Sequence, residues 1–168
     1  LAWAHGLTLR EAAVRADVEP IDFALDALAA SRLACSAVMA VRSPRTGVEL
    51  ARIFAHPGQM GGSDGIFIGA HPHPRAAGSF SLFLREYVRE RATWTWSDAV
   101  HHLSSSPARR FGLGRRGIVE PGAVADLVIV DPEAVADTAT YESPRGHGVG
   151  IDDVFVAGIR VLADGERT

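Results

Sequence analysis

Residues 59–65 read Gln59-Met60-Gly61-Gly62-Ser63-Asp64-Gly65, and His71-Pro72-His73-Pro74-Arg75 follows at 71–75. Gln59 to Ser63 fits a short strand, weakened by its glycines, with a carboxylate directly after its end. Upstream, Ser36 to Val41 is short and mostly apolar on both faces, as buried parallel strands are. Between them lies Thr46-Gly47-Val48-Glu49, a capping box, and Leu50, Ile53 and Phe54 form the apolar side of the helix it opens. His56-Pro57 ends that helix, because the residue before a proline disfavours helical dihedrals. Strand, helix and strand in this order predict a βαβ unit of a parallel sheet. Asp64 then stands at the carboxyl edge of that sheet, the catalytic face in α/β barrels. A helix-cap or turn role for Asp64 is the alternative that spacing alone leaves open. Gly65 lets the chain turn sharply there with no side chain over the carboxylate.

The flanking segments extend the pattern. Thr8-Leu9-Arg10-Glu11 is another capping box, ahead of Ala12, Ala13 and Val14. Pro20 suits the first turn of a second helix, in which Ile21, Leu25 and Leu28 recur at helical spacing beside Phe23. Asp64 to Gly78 has no periodicity and predicts a long loop. Ser79 predicts the cap of a helix carrying Phe80, Phe83, Leu84, Tyr87 and Val88. Ser97 predicts a second cap, before Ala99, Val100 and Leu103, and Ser106-Pro107 a terminal turn reaching Phe111. Trp94 and Trp96 suit a packing element better than a substrate platform. From Gly112 the character changes to short β-rich pieces. Asp126 to Asp131 is the clearest strand, and Val154 to Val161 reads as a hairpin around Ala157-Gly158. A boundary near 112 is therefore expected.

Composition narrows the chemistry. The 168 residues are 47% apolar and 22% charged, as in a folded domain. Seventeen basic residues against twenty acidic give a net charge of -3, which excludes a sequence-wide attraction to nucleic acid or anionic membrane. All the basic residues are Arg. Without Lys, residues 1–168 supply no Schiff base, no P-loop lysine and no carbamylated-lysine metal bridge. Cys35 is the single cysteine, which rules out an intrachain disulfide and a thiolate zinc cluster. It lies in the apolar run Leu33 to Val41 and reads as a small buried hydrophobe. That run falls far short of the ~20 residues a membrane helix needs. No basic segment precedes an apolar core near Leu1, so a cytoplasmic location is the default expectation.

Ser-Asp-Gly at 63–65 with His-Pro-His-Pro-Arg at 71–75 resembles the C-terminal part of the N-acyl-D-amino-acid deacylases, metal-dependent members of the amidohydrolase superfamily. Three further stretches carry the same resemblance: Ser-Ser-Pro-Ala-Arg-Arg-Phe-Gly-Leu at 105–113, Gly-Ala-Val-Ala-Asp-Leu-Val-Ile-Val-Asp-Pro at 122–132 and Gly-Ile-Asp-Asp-Val-Phe-Val-Ala-Gly at 150–158. The resemblance implies an α/β fold: the last strands and helices of a TIM-type barrel over 1–111, then part of a small β-sandwich domain over 112–168. It implies hydrolysis of the amide of a small N-acyl-D-amino acid at a zinc-bound water. By position, Asp64 matches the aspartate beside the metal that accepts the water's proton and returns it to the leaving amine. Arg75 matches an arginine that holds the substrate α-carboxylate, a task suited to its planar fork. His73 is expected in the same loop, as a substrate-gate or packing residue.

His71 and His73 form a His-x-His pair, but in a Pro-flanked loop rather than after an apolar first strand, so loop packing is preferred to ligation. The other metal ligands of the family pattern have no counterpart here, and one Asp falls short of the three protein ligands of a catalytic zinc. A barrel of this kind takes ~250 residues. We therefore expect a portion of a longer enzyme, inactive by itself. A cyclic amidase of hydantoinase or dihydroorotase type, and a non-catalytic scaffold remnant, are the alternatives.

Overall fold

Thr8 accepts a hydrogen bond from the Glu11 amide, and the Glu11 carboxylate accepts one from the Thr8 amide at 2.7 Å, so the predicted capping box forms. It opens α1, Leu9–Ala16. The computed structural model describes residues 1–35, 37–38, 45–69 and 71–168, which fall into two units, Leu1–Ala40 and Val41–Thr168. In the first unit, α1 packs on α2, Pro20–Ala30, which has Pro at its first turn as expected. Their contact is narrow: Ala12 and Ala13 bury Phe23, and Trp3 meets the Phe23 ring edge-on at 5.6 Å. The predicted stripe of α2 is not what packs. Ile21, Leu25 and Leu28 are exposed, because among the described residues nothing covers that side. Cys35 is exposed too, contrary to expectation, since it follows the end of α2 without a covering element.

In the second unit the capping box of Thr46 and Glu49 also forms and opens α3, Gly47–Phe54. The expected strand Ser36 to Val41 lies largely outside the described residues. Gln59 to Ser63 forms no strand and pairs in no ladder, since no strand flanks it among the described residues. The loop expected to reach Gly78 ends earlier. Helix α4, Arg75–Leu82, starts right after Pro74 and runs directly into π-helical turns over Phe83–Glu90. Thr95, not Ser97, caps α5, Trp96–Val100, through a box with Asp98. Helix α5 continues through π-helical turns at His101–Ser105 into α6, Ser106–Arg110, so the expected turn from Ser106-Pro107 to Phe111 is the end of one unbroken helix.

An aromatic cluster joins these helices. Phe83, Tyr87, Val88, Trp94, Ala51 and Ala99 are buried, with Leu50, Phe54 and Leu103 packed around them. Trp94 stacks on Phe83 at 5.6 Å and donates its indole N–H to the Phe54 carbonyl at 3.1 Å, satisfying its only polar atom. Trp94 is therefore core, as expected. After it come four antiparallel strands in sequential order: β1 Leu127–Val130, β2 Ile151–Val156, β3 Ile159–Ala163 and β4 Glu166–Arg167. The predicted hairpin forms, with Ala157 (φ 50°) and Gly158 (φ 84°) both left-handed at its tip. Among the described residues no helix is long and apolar enough to cross a membrane.

Candidate active site

Among the described residues, the segment leading to Asp64 is held by His102 and not by a sheet. The His102 carbonyl accepts from the Gly61 amide at 3.0 Å, and its Nδ1 lies 2.8 Å from the Gln59 carbonyl oxygen. The imidazole is buried and stacked on Trp94 at 4.8 Å, so its position is set by the aromatic core. Gly61 leaves room for Leu103, since a Cβ there would stand 2.2 Å from Leu103 Cδ2 and the leucine would have to move.

Three residues further on, Asp64 itself takes the left-handed conformation, φ 45°. The turn expected of Gly65 is thus made by the aspartate, a residue that tolerates that region. Gly65 serves differently: a Cβ on it would meet Ala76 Cα at 3.0 Å, so its absence lets the first turn of α4 pass close by. That turn begins with Arg75. Arg75 Nη2 stands 2.7 Å from Asp64 Oδ2, and Nε donates to the Asp64 backbone carbonyl at 3.0 Å. The two residues that sequence singled out are therefore adjacent. The pair is open to water, with the Asp64 side chain 81% exposed and Arg75 41%.

His73 closes the turn before α4. Its Nδ1 accepts from the Arg75 amide at 3.1 Å, which leaves the ring proton on Nε2, where a long hydrogen bond of 3.4 Å runs to the Tyr141 hydroxyl oxygen. The two rings meet edge to face at 5.3 Å. Burial, and then the charge of Arg75, push the His73 pKa down and favour the neutral ring. Both ring nitrogens are engaged, which suits loop packing and not ligation. His71 lies exposed in the same loop.

Chemically, this arrangement offers a solvent-facing carboxylate that can accept a proton and a guanidinium beside it that can hold a second carboxylate. It does not offer a metal site. Among the described residues no group of three or more His, Cys, Asp and Glu is gathered to hold an ion, and the Asp64 carboxylate is occupied by Arg75. Sequence reasoning did not find His102, Tyr141 or Arg145. His102 stood in a His pair with no ligand spacing, and Tyr141 and Arg145 lie in a polar loop far along the chain. Arg145 Nη2 donates to the carbonyls of Phe67 at 3.0 Å and Gly69 at 2.8 Å.

Residues 8–162 match the model of an amidohydrolase family. The chain is 43% identical over 120 residues to N-acyl-D-aspartate deacylase of Alcaligenes xylosoxydans xylosoxydans, covering 71% of this chain and 24% of that protein. It is 42% identical over 142 residues to N-acyl-D-glutamate deacylase of the same organism, covering 79% and 29%. Among solved structures it resembles the N-acyl-D-glutamate deacylase of Bordetella bronchiseptica complexed with zinc and a phosphonate inhibitor, with a TM-score of 0.76 and 38% identity. That likeness covers 95% of this chain and 33% of the other. The chain thus spans about a quarter to a third of the length of the relatives it matches.

Proposed function

The chain belongs to the amidohydrolase family, and from that premise we propose that it is part of an enzyme hydrolysing the amide of N-acyl-D-amino acids to a carboxylate and a free D-amino acid. Residues 1–111 would be the last part of its TIM-type barrel and residues 112–168 part of its β-sandwich domain. The substrate is a small molecule, with neither nucleic acid nor membrane as partner, and the enzyme is cytoplasmic. What carries the reading is the 2.7 Å approach of Arg75 to Asp64 across an eleven-residue separation, in a chain 42–43% identical to deacylases of N-acyl-D-aspartate and N-acyl-D-glutamate.

In this reading Asp64 is the general base and acid, taking a proton from the attacking water and returning it to the leaving amine. Arg75 binds the α-carboxylate of the substrate through its fork, releasing Asp64 as it does so. His73 holds the Arg75 amide and borders the substrate. Zinc is the metal proposed for the enzyme, and Asp64 the one residue here proposed to face it. A single carboxylate falls short of the three protein ligands of a catalytic zinc site, and among the described residues no other ligands gather beside it.

The test is an amine-release assay on the natural gene product that carries these residues, supplied with zinc. N-acetyl-D-glutamate, N-acetyl-D-aspartate and N-acetyl-D-leucine are compared with their L enantiomers and with dihydroorotate. Turnover confined to the D series is expected. Turnover of dihydroorotate alone, or equal turnover of both enantiomers, would overturn the reading.

A further inference from the structure

We propose that Arg145 and Tyr141 are positioning residues: the segment 137–148 straps the turn between Asp64 and Arg75, and these two side chains are its grips. The inference rests on the function proposed above for Asp64 and Arg75. The strap is anchored independently of the site. Asp137 Oδ1 accepts from Arg85 Nε at 2.7 Å, and just before it Arg89 Nη1 donates to the carbonyls of Glu133 and Val135. The hydrogen bond to the Asp137 carboxylate raises the already high pKa of Arg85 further. Two glycines let the strap lie close along α4: a Cβ on Gly78 would press on the Cβ atoms of Ala139 and Asp137, and one on Gly148 would stand 2.3 Å from Ser81 Oγ. The strap is also braced internally, by Thr138 Oγ1 donating to the His147 carbonyl at 2.6 Å and the Ser143 amide donating to Thr140 Oγ1 at 3.0 Å.

The turn it crosses has no such support. Among the described residues, no backbone hydrogen bond joins 66–69 to another element, and Ile66, Phe67 and Ile68 are exposed. The two bonds from Arg145 to the Phe67 and Gly69 carbonyls supply what a sheet ladder would otherwise give. At the other end of the turn, Tyr141 receives the Nε2 proton of His73, whose Nδ1 holds the Arg75 amide. One element thus fixes both approaches to the Arg75–Asp64 pair. Both bonds leave the same nitrogen, Nη2, whose two hydrogens lie in the rigid guanidinium plane and so fix the two carbonyls relative to each other.

The test uses Arg145→Met, Arg145→Lys and Tyr141→Phe in the same gene product, with thermal midpoints recorded for each. Chymotrypsin cleavage after Phe67, located by mass spectrometry, reports the turn without any turnover. For Arg145→Met we expect cleavage faster by roughly fivefold or more, and KM for the N-acyl-D-amino acid raised about tenfold with kcat within about threefold. Arg145→Lys should recover part of both effects. Tyr141→Phe should raise KM and move the 15N signature of the His73 ring away from the Nε2–H tautomer. Unchanged cleavage after Phe67, or an unchanged KM in a variant whose midpoint alone has fallen, would overturn the proposal. If the unaltered protein turns over no N-acyl-D-amino acid, the function proposed above fails, while the cleavage and tautomer measurements still decide whether the strap holds the turn.

Discussion

Arg75 grips Asp64 twice, Nη2 at 2.7 Å from the carboxylate and Nε donating to the same residue's backbone carbonyl at 3.0 Å. Both side chains face water, so screening leaves this pair worth little to stability, about 0–1 kcal/mol. Its consequence is geometric. The second bond ties the guanidinium to the backbone of Asp64, so Arg75 stays near when another carboxylate displaces the side-chain contact.

Asp64→Asn separates chemistry from fold. Asn tolerates the left-handed φ of 45° as Asp does, so the thermal midpoint should barely move. Loss of the proton acceptor should lower kcat on N-acyl-D-amino acids by about 10²–10⁴-fold. A loss smaller than tenfold in steady-state kinetics excludes Asp64 as the general base.

Arg75→Lys keeps the charge and removes the fork. KM should rise by roughly tenfold or more, because an ammonium cannot hold a carboxylate bidentately. Kinetics with a substrate amide lacking the α-carboxylate give the check: there the variant and the unaltered enzyme should agree.

Local features were legible in the sequence and distant ones were not. The boxes at Thr8 and Thr46 and the hairpin at Ala157-Gly158 each depend on a few neighbouring residues, and all three form. Thr95-Trp96-Ser97-Asp98 was legible as well, but its N3 acid is Asp rather than Glu, and the serine drew the cap. Helix α4 starts at Arg75 without a side-chain cap, so no polar residue marked it. Gln59 to Ser63 has strand character in sequence but no ladder partner among the described residues. Its hold comes from His102, a contact 43 residues away. Tyr141 and Arg145 reach the site across 68 and 76–78 residues, through atoms no spacing rule connects.

Ala157 sits at φ 50° in the β2–β3 turn, where its Cβ is strained. Ala157→Asn should stabilise the protein by roughly 1 kcal/mol, since Asn accepts that conformation at less cost. Its amide must stay in place, because it donates to Asp126 Oδ1 at 2.8 Å. Urea unfolding followed by circular dichroism measures the gain, and a loss would mean the turn is not of this type.

Gly150→Ala should destabilise by about 2 kcal/mol or more, from a left-handed φ and a backbone collision together. Its φ is 66°, and a Cβ would stand 2.4 Å from the Val135 amide nitrogen. That amide is bonded to the Asp131 carbonyl, and the Gly150 carbonyl accepts from the Asp131 amide, so neither side can retreat alone. A midpoint within experimental error of the unaltered protein contradicts this packing.

His73 makes stability depend on pH near neutrality. Its Nδ1 is an acceptor for the Arg75 amide, and a proton placed there would set two N–H groups against each other. Burial first, and the nearby Arg75 charge second, lower its pKa in the folded protein. The unfolded chain, with an imidazole near 6.5, then binds more protons than the folded one between the two values. Stability from this site is therefore complete above about pH 6.5 and declines as pH falls through that value toward the lower folded one. The carboxylates of Glu11, Glu49, Asp98 and Asp126, all with pKa values lowered by hydrogen bonds, begin to lose their contribution only at more acid pH. Thermal midpoints from pH 8 down to about 5, compared with His73→Asn, isolate the effect: Asn keeps a side-chain acceptor for the Arg75 amide and does not titrate. The two curves should diverge below about pH 6.5, with the unaltered protein falling faster. Parallel curves would show that His73 is not held neutral by this contact.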